Sequence, residues 1–453
     1  SSLIFIFVAC LDIIGEISIC KTITFENGFH CINSLIKHTY NITAKDIEYN
    51  LTHLNQIVFE VTRKCNFRCE YCLFSGMYEG FNELSTESMD FTTVQTVLEY
   101  VFALWEKNER PISDKPIFIG FYGGEPLLNI DLIKKTVSFV ENRIGKERKI
   151  IFSMTTNAYF LDKHIEFITA HNFQLLISLD GDEKCDAFRK TIDGKSSFEK
   201  VFSNIALLYH SYPDFFKSHV NFNAVFNKNS SFEDIYTFFY SNFKKIPGIA
   251  QINTSDVTQL GEVRFKSVFK SKRLSFIHSS NKREIDDNLF MSSPGANAMI
   301  NYIFNHSGNV FSTYNDLFVD ISKAKLVPTG TCIPFQKKMF ITTDGDILQC
   351  EKISHTYALG KVVDGEVKLD LDKIAKAHNE FVNTFRKQCL ICRVRNSCPV
   401  CLLQKYPKGE ITDRGCTNFY SEQKMKMYHM RSLDYLRFNP HLYERILNEV
   451  VVH

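Results

Sequence analysis

At 453 residues the chain is long enough for two or three domains with sizeable cores. Lys and Arg number 53 against 51 Asp and Glu, a balance that gives nucleic acid or an anionic membrane nothing to be drawn to. The anomaly is the cysteine count of 14. In a long chain that is 44% hydrophobic, it disfavours a small secreted disulfide framework and favours metal or cluster ligation in a reducing, cytoplasmic compartment.

Residues 1–53 read as a small N-terminal domain. Leu3 to Ile14 is almost wholly apolar, but Asp12 interrupts it, no basic residue precedes it and it is too short to span a bilayer. It is expected to form a strand or short helix, and Glu26-Asn27-Gly28 a turn. Cys10, Cys20 and Cys31 show no ligand spacing and read as buried thiols.

From about Gln56 the pattern alternates strand and helix over residues 54–258. Strands are expected at Ile57–Val61, Pro116–Tyr122, Lys149–Thr155, Phe173–Leu179, Val220–Phe226 and Ile249–Asn253. Helices are expected at Thr86–Trp105, Ile130–Ile144, Asp162–His171, Ser197–Tyr209 and Phe232–Phe243, the first with Val94, Val97, Leu98, Val101, Phe102 and Leu104 as its apolar positions. Repeated βα units imply an α/β fold with a parallel sheet.

Function in such sheets gathers at the carboxyl ends of strands. After the first strand comes Lys64-Cys65-Asn66-Phe67-Arg68-Cys69-Glu70-Tyr71-Cys72. Cys65, Cys69 and Cys72, spaced C-x3-C-x2-C, suit three corners of a [4Fe–4S] cube and leave the fourth iron open, whereas electron-carrying clusters are closed by four cysteines. Structural zinc is the competing reading, but zinc favours paired C-x2-C ligands. The second strand ends in Gly123-Gly124-Glu125-Pro126, where paired glycines permit close backbone approach to a ligand or simply make a tight turn. The third ends in Thr155-Thr156-Asn157, with Asn157 a ligand contact or a helix cap. The fourth ends in Ser178-Leu179-Asp180-Gly181, with Arg189 following.

Residues 259–325 are polar, with apolar segments at Met299–Phe304 and Leu317–Ile321 that suggest helices. Lys266, Lys270, Lys272 and Arg273 read as a solvated face. This stretch is expected to bridge the two cysteine regions and help wall a substrate cavity. In residues 326–425, Lys338–Thr342 and Ile347–Cys350 read as a hairpin around Thr343-Asp344-Gly345-Asp346. Seven cysteines lie here: Cys332, Cys350, Cys389, Cys392, Cys398, Cys401 and Cys416. Two tetrahedral zinc sites would need eight ligands. Residues 426–453 form a C-terminal helical tail.

The C-x3-C-x2-C motif with Tyr71 before its last cysteine resembles the signature of radical S-adenosylmethionine (SAM) enzymes, in which the open iron chelates SAM and the reduced cluster cleaves it to a 5′-deoxyadenosyl radical. The resemblance implies a partial (β/α)6 TIM-like barrel, contact of Gly123, Gly124, Glu125 and Pro126 with the SAM amino group, Ser178 and Arg189 at its carboxylate, Asn157 among the cofactor contacts, and Tyr71 near the adenine. Arg189 in a surface ion pair and Tyr71 as core are the alternatives. The later cysteines resemble the SPASM domain of peptide-modifying relatives, though its final pair is usually C-x3-C and here is C-x2-C. That resemblance implies one auxiliary cluster on Cys389, Cys392, Cys398 and Cys416, and a second on Cys332, Cys350 and Cys401 with three protein ligands, its fourth position open to a substrate thiolate or filled by water or another residue, Cys185 being a distant candidate. Gly330-Thr331-Cys332-Ile333-Pro334-Phe335 and Cys350-Glu351-Lys352 resemble thioether-forming maturases of ribosomal peptides with double-glycine leaders. A precursor peptide is then the expected substrate, a flavodoxin or ferredoxin the electron donor, and residues 1–53 a site of leader recognition. Three rivals stand beside this: a sulfatase-maturing, formylglycine-generating enzyme (disfavoured by Glu351, where such enzymes place aspartate), a non-catalytic peptide-binding scaffold, and a zinc-binding interaction protein.

Overall fold

A computed structural model of the chain describes residues 41–81, 83–107, 116–144, 148–255, 257–306, 329–395, 398–406, 416 and 418–450. The expectations for Leu3–Ile14, for the Glu26–Gly28 turn, for Cys10, Cys20 and Cys31, and for Leu317–Ile321 lie outside the described residues.

Six parallel strands stand side by side in chain order: β1 (Gln56–Thr62), β2 (Ile117–Gly123), β3 (Ile150–Thr156), β4 (Gln174–Ser178), β5 (Val220–Phe226) and β6 (Gly248–Gln251). Helices Phe91–Lys107, Ile130–Ile144, Ile165–Ala170, Phe198–Ser211 and Phe232–Phe243 make the crossovers. This is the expected α/β architecture. On the first helix Val94, Val97, Leu98, Val101 and Phe102 are buried as their spacing predicts, and Leu104 is half-buried. That helix starts at Phe91, not Thr86. Asp90 accepts the Thr93 amide at 2.7 Å, and residues before it are drawn to the end of β1, with Arg63 N–H to Glu87 O at 3.0 Å and Met89 N–H to Val61 O at 3.0 Å.

The sheet continues beyond β1. Strand β7 (Met339–Ile341) runs parallel to β1 on its other side. Strands β8 (Asp346–Leu348), β9 (Gly360–Val363) and β10 (Glu366–Leu369) then extend it antiparallel, giving ten strands in the order β10-β9-β8-β7-β1-β2-β3-β4-β5-β6. The expected hairpin is present as β7–β8. Its docking on β1 is what places the second cysteine region beside the first.

The described part of the N-terminal region shares the main core. Ile42, Ile47, Leu51 and Leu54 are buried there, and Asn379 clamps Ile42, accepting its amide at 2.9 Å and donating to its carbonyl at 2.8 Å. A second, smaller core joins helix Pro294–His306 to helices Glu422–Phe438 and Pro440–Glu449 through residues such as Met299, Ile303, Leu436 and Ile446. Two of the bridge lysines are not a solvated face. Lys270 Nζ donates to Ser230 O at 2.7 Å and Lys272 Nζ to Ile249 O at 2.6 Å, so both tie the bridge to the barrel through carbonyls left over near strand ends. Among the described residues no helix is long and apolar enough to cross a membrane.

Candidate active site

The cysteine loop leaves β1 at the carboxyl end of the parallel sheet. Cys65, Cys69 and Cys72 are half-buried, free of disulfides, and within electrostatic reach of one another. Burial pushes the Cys65 thiol up to about 12 and raises Cys69 and Cys72 as well. Three thiols so placed resist ionising alone and become thiolates when a metal centre supplies the balancing charge.

The paired glycines at the end of β2 are pressed against the start of this loop. A Cβ on Gly123 would lie 2.2 Å from Thr62 O, and one on Gly124 would lie 2.1 Å from Lys64 O. Gly124 N–H donates to Thr62 O at 2.8 Å and Glu125 N–H to Lys64 O at 2.8 Å. The close approach that needs glycine here is to backbone two strands' ends share. Glu125 is fully buried and has its carboxylate occupied by the Thr156 hydroxyl at 2.6 Å, the Asn157 amide at 2.7 Å and the Leu127 amide at 3.1 Å. Pro126 opens the short helical turn that follows. Asn157 does not cap a helix. Its Nδ2 donates to Asn66 Oδ1 at 2.9 Å, linking the end of β3 to the cysteine loop, and its Oδ1 accepts the Tyr159 amide at 3.0 Å. The Asn66 Nδ2 is buried with no hydrogen-bond partner among the described residues.

Tyr71 and Arg189 meet at the ends of β4 and β5. The Tyr71 hydroxyl donates to Asp180 Oδ2 at 2.5 Å and accepts from Arg189 Nη1 at 3.2 Å. Asp180, fully buried, also accepts the Val225 amide at 2.9 Å and Asn227 Nδ2 at 3.4 Å. Arg189 is 7% exposed, lies 3.6 Å from Asp186 and stacks 5.8 Å over Phe67, so it is not the surface ion pair that was its alternative. Ser178 ends β4 half-buried beside these groups. Spacing alone did not single out Asp180, Asp186 or Asn227, because their partners are remote in the chain. An aspartate at a strand end was the available clue.

Four of the later cysteines, Cys389, Cys392, Cys398 and Cys416, line one recess of about 390 Å³, together with Phe385, Gln388 and Arg395. They line a wall and do not meet at a point. Among the described residues no three His, Cys, Asp or Glu side chains converge as a single metal ion requires. Cys401 is within electrostatic reach of Cys332, and Cys350 and Cys401 pack against one small core with Tyr122, Phe340 and Leu403. The seven therefore divide four and three. Cys185 joins neither group. It is buried at the β4 end of the sheet and donates its S–H to Asn229 O at 3.8 Å.

Several sulfurs of the ligand candidates accept instead, and Cys350 Sγ does both, donating to Glu351 Oε2 at 3.5 Å. Cys65 Sγ takes the Phe67 amide at 3.4 Å and Cys350 Sγ the Lys352 amide at 3.4 Å. Cys72 and Cys398 likewise face the amides of Phe74 and Val400, two residues on, Cys401 faces those of Gln404 and Leu403, and Cys392 accepts from Tyr420 at 3.4 Å. Backbone amides aimed at sulfur suit thiolates bound to metal, and such bonds are among the features that tune iron–sulphur clusters. Around Cys65 and Cys72 the thiols and amides suit the [4Fe–4S] cluster of the radical SAM family.

The comparisons agree. Residues 59–238 match the model of the Radical SAM superfamily. The chain is 23% identical over 378 residues to the radical SAM cyclopropyl synthase TigE of Paramaledivibacter caminithermalis, covering 81% of this chain and 72% of that protein. It is 32% identical over 145 residues to an uncharacterised protein of Methanocaldococcus jannaschii, covering 32% of this chain and 45% of that one. Among solved structures, native anSMEcpe with bound AdoMet and Cp18Cys peptide superposes with a TM-score of 0.54 at 16% identity, over 87% of this chain and 98% of that one, which shows a shared fold. Radical SAM enzymes use a [4Fe–4S] cluster and SAM. With three thiols at the end of β1, residues 59–238 of this chain are a radical SAM domain.

Proposed function

We propose that this enzyme modifies a ribosomally made precursor peptide, forming a thioether or related crosslink. The observation that carries the reading is the seam between β1 and β7, where Tyr122, its ring 6.4 Å from Phe74 and 6.1 Å from Phe340, is within electrostatic reach of both Cys72 and Cys350. Cys65, Cys69 and Cys72 would hold the SAM-binding cluster, and the ends of β2, β3 and β4, with Gly123–Pro126, Asn157, Ser178 and Arg189, frame the cofactor. Cys389, Cys392, Cys398 and Cys416 would hold one auxiliary cluster and Cys332, Cys350 and Cys401 the other, as in a SPASM domain. When bound and reduced, the first cluster with SAM supplies a carbon radical able to abstract hydrogen from an unactivated C–H bond.

The chain's own residues supply placement and dryness. Tyr71, Asp180, Arg189 and Asn227 lock the cysteine loop to β4 and β5. Phe74, Tyr122 and Phe340 pack an apolar seam between the two thiol groups. The pair of Lys338 and Glu351, at 3.1 Å, sets a carboxylate 3.5 Å from Cys350 Sγ, where it can take a proton from an incoming thiol. A fold neighbour solved with bound AdoMet and the Cp18Cys peptide supports a peptide substrate. A flavodoxin- or ferredoxin-type donor would reduce the enzyme.

The test is anaerobic reconstitution with iron and sulphide, reduction with SAM, and mass spectrometry of a cysteine-containing peptide encoded beside the gene. Deoxyadenosine formation with loss of a hydrogen pair and retention of sulphur supports crosslinking. Loss of sulphur from the peptide would favour the formylglycine reading. Roughly two zinc ions per chain and no deoxyadenosine would replace both with a zinc protein.

A further inference from the structure

The chain as a whole is nearly neutral, with a net charge of +2, but its charge is unevenly spread. Between Arg386 and Arg431 stand ten Lys and Arg against three Asp and Glu. Residues 407–415, outside the described residues, hold two of each sign, so the excess comes from side chains whose places are known. Arg386, Lys387, Arg393, Lys405, Lys424 and Lys426 are all exposed, and Glu422 is the one acidic side chain among the described residues of this stretch. Arg393 and Lys426 share it, at 3.1 and 3.2 Å.

The fold gathers these cations. Tyr420 N–H donates to Cys392 Sγ at 3.4 Å, Arg393 N–H to Tyr420 O at 2.9 Å and Cys416 N–H to Gln388 Oε1 at 2.7 Å, so the start of helix Glu422–Phe438 lies against the loop of Cys389 and Cys392. The Phe385 and Tyr406 rings, 5.0 Å apart, bring Lys405 alongside. At the centre is the recess of Cys389, Cys392, Cys398 and Cys416, with Arg395 and Phe419 in its wall. Leu390 and Ile391, between the first two of those cysteines, are 40% and 67% exposed. A face kept only for water mixes charges of both signs and does not spread two large apolar side chains over its middle. An apolar centre within a rim of one sign is the make-up of a protein docking site.

We propose that this face docks an acidic electron-donor protein of the flavodoxin or ferredoxin type, which passes one electron to an iron centre held by Cys389, Cys392, Cys398 and Cys416. The donor is oxidised by one electron, the centre is reduced by one, and no bond is made or broken. The proposal rests on the reading that those four cysteines hold a cluster. Complementary charge steers such encounters and salt weakens them, and redox pairs use small interfaces, below about 1,200 Å², that part quickly. The thiols at the centre of the face select a redox partner over other anions. Near the first cysteines Lys190 and Lys195 are each matched by an acid, Glu70 and Asp193, both at 2.7 Å.

The experiment measures binding of an acidic flavodoxin, in its oxidised form, to the reconstituted enzyme by anaerobic calorimetry at low and high salt. The parent is compared with K387E/K405E and with K64E/K195E, which reverses two exposed lysines near the first cysteines. Iron is counted in each preparation, and reduction by reduced flavodoxin is timed against reduction by dithionite, a small molecule that needs no docking face. K387E/K405E is expected to weaken flavodoxin binding at least about tenfold at about 50 mM salt, to flatten its salt dependence and to slow reduction by flavodoxin alone, with iron content and the dithionite rate unchanged. K64E/K195E should change binding less than about twofold. A larger loss in K64E/K195E would move docking to the first cysteines and overturn the proposal. A parent that binds no flavodoxin would overturn it too, as would unchanged binding in K387E/K405E, even if that variant held the precursor peptide less well. Unchanged iron content in Cys392→Ala would defeat the underlying reading of a cluster instead.

Discussion

Arg63 reaches across the seam between the two cysteine regions to pair with Asp344, in the turn of the β7–β8 hairpin. The same turn is held by Glu60, whose carboxylate accepts the Thr343 amide at 2.8 Å and its hydroxyl at 2.9 Å. Arg63 stands two residues before Cys65, and β8 ends two residues before Cys350. These contacts fix the register between the two thiol sites more firmly than the three-residue ladder of β7 on β1 does alone.

Removing Arg63 is therefore expected to be costly. Its side chain is 9% exposed and that of Glu60 1%, so R63M strands a buried carboxylate and should lower the unfolding free energy by about 3 kcal/mol. Asp344 is 43% exposed, and D344N should cost under about 1 kcal/mol. Urea unfolding of both variants checks the order, and equal effects would contradict it.

Cys72→Ala should abolish deoxyadenosine formation while leaving the later clusters in place, so iron falls from about twelve to about eight per chain if three four-iron clusters are present. Cys392→Ala should also remove about four irons but leave SAM binding intact, because its recess is separate from the cysteine loop. Iron analysis with a SAM-binding titration distinguishes the two.

Cys185 is the contrasting case. Its thiol donates to a carbonyl and is not among the residues lining the recess of Cys389, Cys392, Cys398 and Cys416, so Cys185→Ala should leave iron content unchanged. Loss of its packing against Gly181 should cost about 1 kcal/mol, read by urea unfolding.

The small helical core predicts a pH dependence. His306 and His429 meet edge to face with ring centroids 4.9 Å apart, and burial lowers both to about 4. In the unfolded chain they titrate near 6.5. Between those values the unfolded state binds protons that the folded state refuses, so stability present above about pH 6.5 is lost as pH falls toward about 4, by up to about 1.4 kcal/mol per unit for each ring. Denaturant midpoints at pH 7 and pH 5 test this. His429→Leu should flatten the dependence.

The sequence by itself determined the local facts. Period-two and period-3.6 patterns placed the βα units to within a few residues, with Val220–Phe226 and Phe232–Phe243 matched end to end, because burial of one face writes itself into the order of apolar residues. The ligand candidates were legible because thiols that share a cluster are close in the chain. Tertiary structure alone decided what depends on residues far apart. Nothing local to Met339–Ile341 says that it pairs with Ile57–Phe59, since ladder hydrogen bonds are made by backbone common to every sequence. Nothing local to Arg189 says that two buried aspartates surround it, or that Arg264, nearly two hundred residues beyond Cys69, lies against its carbonyl (a separation of 195). Charge in a folded protein is set by its neighbours in space, and those neighbours exist only once the sheet has closed around them.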